Sequence, residues 1–218
     1  MTSIKKFATY LLAPALCVGL GTTASHAAPF MVQPIDVTAS SEFLTFGRAA
    51  DNMINETGLS AVNPVRTGEP VPVTFPSHGT TTSGFMWTSE GEFQSQITFE
   101  LGQVYALTDV HLWNSNSGDN DRGVQDVDVS FSTDGSTFSN TEQLTFAQGP
   151  NSISYTGETV SFSGTQNASF VRFDIVSTYG GNLSEISEVR FIAVPEPGSL
   201  ALLASGGLLM LSRRRRAS

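Results

Sequence analysis

The stretch Phe170-Val171-Arg172-Phe173-Asp174-Ile175 fits one kind of backbone. Successive side chains of a β-strand point to opposite faces, so the Val, Phe and Ile at odd positions would share an apolar face. The Arg and the Asp between them would face water. The stretch therefore predicts a strand with one buried face. The same period of two recurs at 96–101, 126–131 and 189–192.

Turn signals separate these predicted strands. Dipeptides rich in Gly, Asn and Asp favour tight turns, and no stretch keeps a helical period for more than a turn or two. We therefore expect an all-β protein, built as an antiparallel β-sandwich. The turn signals stand at 134–135, 149–151, 155–157 and 179–182.

One segment interrupts this rhythm. Residues 62–83 contain four prolines among Thr, Gly and Ser. Proline lacks the N–H that a ladder needs, so we expect a long surface excursion in place of strands.

The N-terminus has the features of a secretory signal peptide. Lys5 and Lys6 precede an apolar stretch, and a small-x-small site predicts cleavage between Ala27 and Ala28. Cys17, the only cysteine, lies in the segment that would be removed. The mature protein would then have neither a disulfide nor a cysteine nucleophile.

The chain between its two ends is strongly acidic. Residues 28–193 are predicted to form one domain of ordinary size, and across 28–194 five arginines stand against nineteen acidic residues. The formal net charge of −14 repels nucleic acid and anionic lipid, so nucleic-acid binding is excluded as a main role.

The C-terminus, residues 194–218, contains a second address signal. Pro195, Glu196 and Pro197 precede a twelve-residue apolar run, Leu200–Leu211, which is shorter than the roughly 20 residues of a stable membrane span. Four arginines follow and favour the cytoplasmic side of a membrane. They are Arg213, Arg214, Arg215 and Arg216.

This order of features resembles the PEP-CTERM sorting signal of Gram-negative bacteria. The resemblance implies recognition and removal of the tail by an exosortase, a membrane transpeptidase-like enzyme, in cells that make exopolysaccharide. A short helix in the tail would insert transiently in the inner membrane. The protein would then reach the cell surface or the extracellular matrix. The alternative is a plain C-terminal anchor.

Six pieces of the domain resemble the discoidin-like, or coagulation factor type C, family of galactose-binding-like jelly rolls. Each piece is weak alone, but their order matches the family from about 37 to 192. Glu100 stands where that family has Asp. The pieces are 52–60, Trp87-Thr88-Ser89, 95–102, 122–135, 170–173 and 186–189.

The resemblance implies one structural Ca²⁺ between the early loop and the last strand. Calcium takes six to eight oxygen ligands. Asn55 stands where the family usually has Asp, which removes a charge, and the alternative is a loop held by hydrogen bonds without metal. The candidates are the carbonyls of Met53 and Thr57 and the side chains of Asn55, Ser60 and Glu188.

A second candidate site lies where the strand near 110 ends. A sugar site combines an aromatic face with planar groups that bond pairs of hydroxyls. One alternative is structural, with Trp113 packed under the excursion and Arg122 paired with Asp126 or Asp128. Another is that residues 119–121, Asp-Asn-Asp, bind a surface cation in place of a sugar. The candidate ligand residues are His111, Trp113, Asn114, Asn116 and Arg122.

These features together predict an exported, non-catalytic module that binds a carbohydrate, such as the cell's own exopolysaccharide. A structural biofilm-matrix protein without a ligand site is the first alternative. A glycan hydrolase using a carboxylate pair such as Glu185 with Glu188 is the second. No serine-hydrolase, zinc-protease or phosphate-binding motif supports an enzyme.

Overall fold

The computed structural model describes residues 28–61, 70–80, 84–118 and 120–195. They form eight strands, joined in one antiparallel hydrogen-bonded network. Helix in this part of the chain is limited to three short 3₁₀ turns, at Leu44–Phe46, Ala50–Met53 and Asn120–Arg122. The strands are β1 (Phe30–Val32), β2 (Asp36–Ala39), β3 (Trp87–Thr88), β4 (Gln96–Asn114), β5 (Asp126–Ser132), β6 (Ser139–Thr145), β7 (Glu158–Ile175) and β8 (Glu185–Val194).

Two long strands divide this network into two layers. β4 and β7 each change register part-way, with irregularities between Glu100 and Tyr105 and between Leu107 and Asp109 of β4. The first half of β4 and the second half of β7 join β2, β5 and β6 in the first layer. The other halves join β1, β3 and β8 in the second layer. This arrangement confirms the predicted antiparallel sandwich.

The core lies between the layers and is rich in phenylalanine. Phe99 and Phe173 of the first layer meet Phe191 of the second, at ring-centroid distances of 5.7 and 6.4 Å. Phe131 meets Phe162 at 4.8 Å, nearly edge to face. The alternation predicted at 96–101, 126–131 and 170–175 holds, because the apolar position of each pair is buried.

The strand β8 departs from that alternation, since nine of its ten residues are buried. Two loops cover the outer face of the second layer. The early loop, residues 52–60, contacts β8 at Glu188 and Arg190. The covering segment, residues 70–80, is part of the proline-rich excursion and contacts β1 at Met31 and β4 at His111 and Trp113. The covering segment makes only isolated bridges, through Val71 to Met31 and through His78 to Leu59 and Tyr155.

Several predictions fall outside the described residues. They are the signal peptide up to Ala27, the sorting motif from Glu196 onward with its four arginines, and much of the 62–83 excursion. Within the described residues, no helix is long and apolar enough to cross a membrane.

Candidate functional site: an arginine cluster at one end of the sandwich

Two of the predicted ligand residues lie beneath the covering segment. His111 and Trp113 sit on the outer face of β4 and are 2% and 0% exposed. The ring of Phe75 stacks on His111 at 4.2 Å, and the Trp113 indole N–H donates to the Pro76 carbonyl at 3.0 Å. This geometry corresponds to the packing alternative, in which Trp113 lies under the excursion.

Asn114 and Asn116 are also buried, and they fix the backbone after β4. The Asn114 amide donates to the carbonyls of Val124 and Ala147 at 2.7 and 2.8 Å. The Asn116 amide donates to the Ser152 carbonyl at 2.8 Å and to the Gly79 carbonyl at 3.1 Å. Their amide groups therefore hold the neighbouring loops in place. Since His111, Trp113, Asn114 and Asn116 are all buried, a ligand surface that faces solvent must be formed by other residues.

Burial also sets the charge state of the two histidines in this region. Removal from water lowers the pKa of His111 to about 4, against weaker opposition from its hydrogen bond to the Thr156 carbonyl. The same burial lowers the pKa of His78 in the covering segment. Both rings are therefore neutral near pH 7, and the covering segment packs on uncharged partners.

Arg122, the fifth predicted ligand residue, lies in a different environment. Its Nη1 forms an ion pair with Glu185 Oε1 at 3.3 Å, and its side chain is 28% exposed. Asp126, its expected partner in the structural alternative, accepts hydrogen bonds from Thr145 and Ser177. The pairing with Glu185 joins the end of one loop to the start of β8.

Glu185 is the centre of what we call the arginine cluster. Its Oε1 also lies 3.2 Å from Nη1 of Arg48, whose side chain is 17% exposed. Thr88 of β3 donates to Oε1 at 3.4 Å and Ser115 donates to Oε2 at 2.8 Å. A carboxylate that is 1% exposed thus holds two partly exposed guanidinium groups side by side.

An exposed apolar loop, residues 43–48, borders the arginine cluster. The Arg48 guanidinium lies 6.0 and 5.9 Å from the ring centroids of Phe43 and Phe46. Leu44 and Phe46 are 63% and 54% exposed, among the most exposed large apolar side chains of the described chain. The cluster therefore combines planar cationic donors with an aromatic face at the surface.

Nothing in the sequence marks Arg48, Glu185 and the loop 43–48 as one ligand site. Arg48 and Glu185 are 137 positions apart, and an arginine close to phenylalanines in sequence does not indicate a site until the fold places it beside a carboxylate. The scarcity of cations was one available signal, because only five arginines stand in residues 28–194 and two of them meet here.

The predicted calcium loop is joined to β8 by direct contacts. Glu188, 0% exposed, accepts the Glu56 backbone N–H at 3.1 Å, and the Glu56 carboxylate forms a buried ion pair with Arg190 at 2.5 Å. Asn55 Oδ1 accepts the Thr57 N–H at 2.9 Å. Ser60 Oγ accepts the Ser77 N–H at 3.0 Å, and Met53 is fully buried.

The donor atoms of this loop are all oxygens, which is the class that calcium requires. Hydroxyl, amide and carboxylate oxygens each keep further lone pairs after one hydrogen bond. No three His, Cys, Asp or Glu side chains converge on a metal position within the described residues. A metal here would therefore depend on carbonyl, amide and hydroxyl oxygens around Glu188, beside the positive charge of Arg190.

The F5/8 type C domain family matches residues 36–189. The chain belongs to the F5/8 type C domain family. Both the arginine cluster and the early loop of this F5/8 type C domain lie within the matched residues. The PEP-CTERM protein-sorting motif matches residues 193–216, and this motif marks an exported protein of the cell surface or extracellular space.

Several solved structures with folds similar to this F5/8 type C domain are carbohydrate-binding modules. A CBM32 from a family 31 glycoside hydrolase of Clostridium perfringens is 16% identical, covers 75% of this chain and 95% of its own, and has a TM-score of 0.52. The family 32 CBM of C. perfringens NanJ, in complex with galactose, is 14% identical over 76% and 99%, with a TM-score of 0.47. No curated protein sequence matches the chain.

Proposed function

We propose that this protein is an exported, non-catalytic glycan-binding domain whose ligand surface is the arginine cluster with the loop 43–48. The observation that carries the proposal is the pair of partly exposed guanidinium groups, Arg48 and Arg122, fixed on the buried carboxylate of Glu185 beside exposed Phe46. The family and the carbohydrate-binding structures similar to it support the same class of ligand.

The chemistry of the cluster suits a sugar ring. A guanidinium presents planar donors that match pairs of hydroxyl or carboxylate oxygens, and here its orientation is set before any ligand arrives. An exposed aromatic ring supplies a face for the C–H groups of the sugar. Since Glu185 is anchored by Thr88 and Ser115 as well, little side-chain ordering is left for binding.

The test is glycan-array binding by Phe46→Ala and Arg122→Lys. Phe46 is mostly exposed, so its truncation should leave folding intact and weaken binding roughly tenfold or more. Arg122→Lys keeps the charge next to Glu185 and removes the fork of donors, so binding should also fall.

Arg172→Ala is the matched control. Arg172 forms a partly exposed pair with Asp174 at 3.2 Å, outside the arginine cluster. Its loss should leave binding unchanged. A structural matrix protein without a ligand site would show no array signal for the unaltered chain, and unchanged binding in Phe46→Ala and Arg122→Lys would place the ligand elsewhere.

We propose further that the sorting motif is read by an exosortase. Pro195, Glu196 and Pro197 would be the recognised sequence, the apolar run would insert transiently in the inner membrane, and Arg213–Arg216 would stay on the cytoplasmic side. Exopolysaccharide of the same cell, in a biofilm matrix, is then the glycan that the domain would meet first.

We also propose one Ca²⁺ at the early loop, held by the carbonyls of Met53 and Thr57 and the side chains of Asn55, Ser60 and Glu188. The all-oxygen donor set supports it. One carboxylate among the ligands and the nearby Arg190 predict weak affinity, in the range of about 10⁻⁴ to 10⁻³ M.

Calcium titration followed by thermal unfolding tests this site. Calcium should raise the melting temperature where magnesium does not, and Asn55→Asp should lower the calcium concentration needed, because it adds a charged ligand. Asn167→Asp, which adds the same charge at an exposed position of β7, is the control. A melting temperature indifferent to calcium in all three proteins would leave the loop as a hydrogen-bonded structure.

A further inference from the structure

The strand β8 connects the arginine cluster to the sorting motif. Glu185, the first residue of β8, pairs with the two arginines. Val194, the last residue of β8, immediately precedes Pro195 of the sorting motif. An antiparallel strand rises about 3.4 Å per residue, so the two ends of β8 are about 30 Å apart. The ligand surface and the tail therefore leave the sandwich at opposite ends.

Strand pairing confirms that polarity from other parts of the chain. Phe30 pairs with Ala193, and Ala106 pairs with Val194, so the beginning of the domain lies beside its end. We call this the tail end. At the other end Phe43 donates its backbone N–H to Thr88, and Thr88 pairs with Glu185. We call this the cluster end.

The connection between the tail end and the apolar run is short. Val194 is still held in the ladder by Ala106, and Leu200 begins the apolar run six residues later. Six extended residues span at most about 20 Å. Pro195 and Pro197 restrict that connection further, because each fixes its own φ and disfavours helix in the residue before it.

We propose that, while the apolar run is in the membrane, the tail end faces the bilayer and the arginine cluster faces away from it. The proposal rests on the function proposed above for the cluster and on membrane insertion of the tail. A connection this short cannot let a domain with 30 Å between its ends invert freely. One molecule can therefore be held at the membrane and present its glycan surface to the matrix at the same time.

Energy transfer to lipid tests this orientation in the full chain. The mature chain has no cysteine, so a donor dye can be attached to a single introduced cysteine. The two labelled variants are Leu44→Cys at the cluster end and Val104→Cys at the tail end. Cys17→Ser is added in any chain that retains the signal peptide. Both positions are exposed, 63% and 45%, so a dye should not disturb the core. The full chain is reconstituted in phosphatidylcholine–phosphatidylglycerol vesicles that contain acceptor-labelled lipid.

We expect several-fold more transfer from position 104 than from position 44. Inserting a long Gly-Ser segment between Pro197 and Leu200 should bring the two values together, since the short connection is the cause. Equal transfer in the unaltered chain, or a chain that does not float with the vesicles, would overturn the inference. Glycan binding is judged on the array, without membrane, so the proposed function and the orientation can fail separately.

Discussion

At the scale of single residues, Glu185 is the position on which the candidate surface depends. It is a buried carboxylate that compensates the charge of two arginines and also accepts hydrogen bonds from Thr88 and Ser115. A buried charge left without a partner costs much more than an exposed pair contributes. Replacing this carboxylate should therefore affect both folding and binding.

We predict that Glu185→Gln lowers the free energy of unfolding by about 3 kcal/mol or more, because the buried carboxylate that pairs with both guanidinium groups would be lost. Urea unfolding followed by fluorescence measures this. Asp174→Asn, at the exposed pair with Arg172, should cost less than about 1 kcal/mol. Similar losses in the two variants would contradict a central role for Glu185.

At the scale of elements, the covering segment and the outer face of β4 and β8 form one stack, in which the partly exposed Phe75 covers the buried His111 and Trp113. Phe75 stacks on His111, His111 meets Trp113 edge to face at 4.2 Å, and the Arg190 guanidinium lies 5.3 Å from the Trp113 ring. Glycine allows the close packing, since a Cβ on Gly157 would lie 2.6 Å from His111 Nε2. The stack accommodates a neutral imidazole, and the positive charge of Arg190 opposes protonation of His111.

We predict that this stack makes the domain acid-sensitive. The pKa of His111 is about 4 in the folded chain and 6.5 in the unfolded chain, so between these values the unfolded chain binds more protons. The free energy of unfolding is therefore fully present above pH 6.5 and falls as the pH drops towards 4, by at most roughly 3 kcal/mol from this group. The lowered pKa of His78 acts in the same direction.

Urea unfolding between pH 7.5 and 4.5 measures the effect, with hydrogen exchange at Val71 and His78 to show whether the covering segment loosens first. Both amides are bonded in the native state, to the Met31 and Tyr155 carbonyls. His111→Gln should be less stable at neutral pH and less dependent on pH. A variant with the unaltered pH dependence would place the acid sensitivity elsewhere.

At the scale of the whole molecule, the two ends of the sandwich differ in function along the direction of its strands. The cluster end carries the proposed ligand surface, and the tail end carries both the entry into β1 and the exit from β8. Cleavage at the sorting motif would therefore take place about 30 Å from the ligand surface, and binding should not depend on it.

We predict that intact mass of the protein from its native host shows processing at both ends. The mass should correspond to a chain that starts at Ala28 and stops near Pro195 to Gly198 in the secreted or surface fraction. Replacing Arg213–Arg216 should retain the tail. A mature protein that still contains Leu200–Ser218 would identify a plain anchor and contradict exosortase processing, and it would leave the sandwich fold unaffected.

The fold class, the family and the sorting motif can all be predicted from the amino-acid sequence, because each depends on local patterns of residues. The alternating pattern predicted that Ile97, Phe99, Val171 and Phe173 are buried, and they are. The order of short motifs predicted the family and the sorting signal that the family models match. Periodicity reports which face of a strand is apolar, and this information is contained in neighbouring residues.

Which polar residues reach the surface depends on the folded chain and could not be predicted from the sequence. His111, Trp113, Asn114 and Asn116 have the side chains of a sugar site, but the covering segment and the loops around it bury them. Arg48, Arg122 and Glu185 meet because strand pairing joins residues more than sixty positions apart. Burial of the outer face of a sheet depends on which distant segments pack over it, and the periodicity of residues along a strand contains no information about those segments.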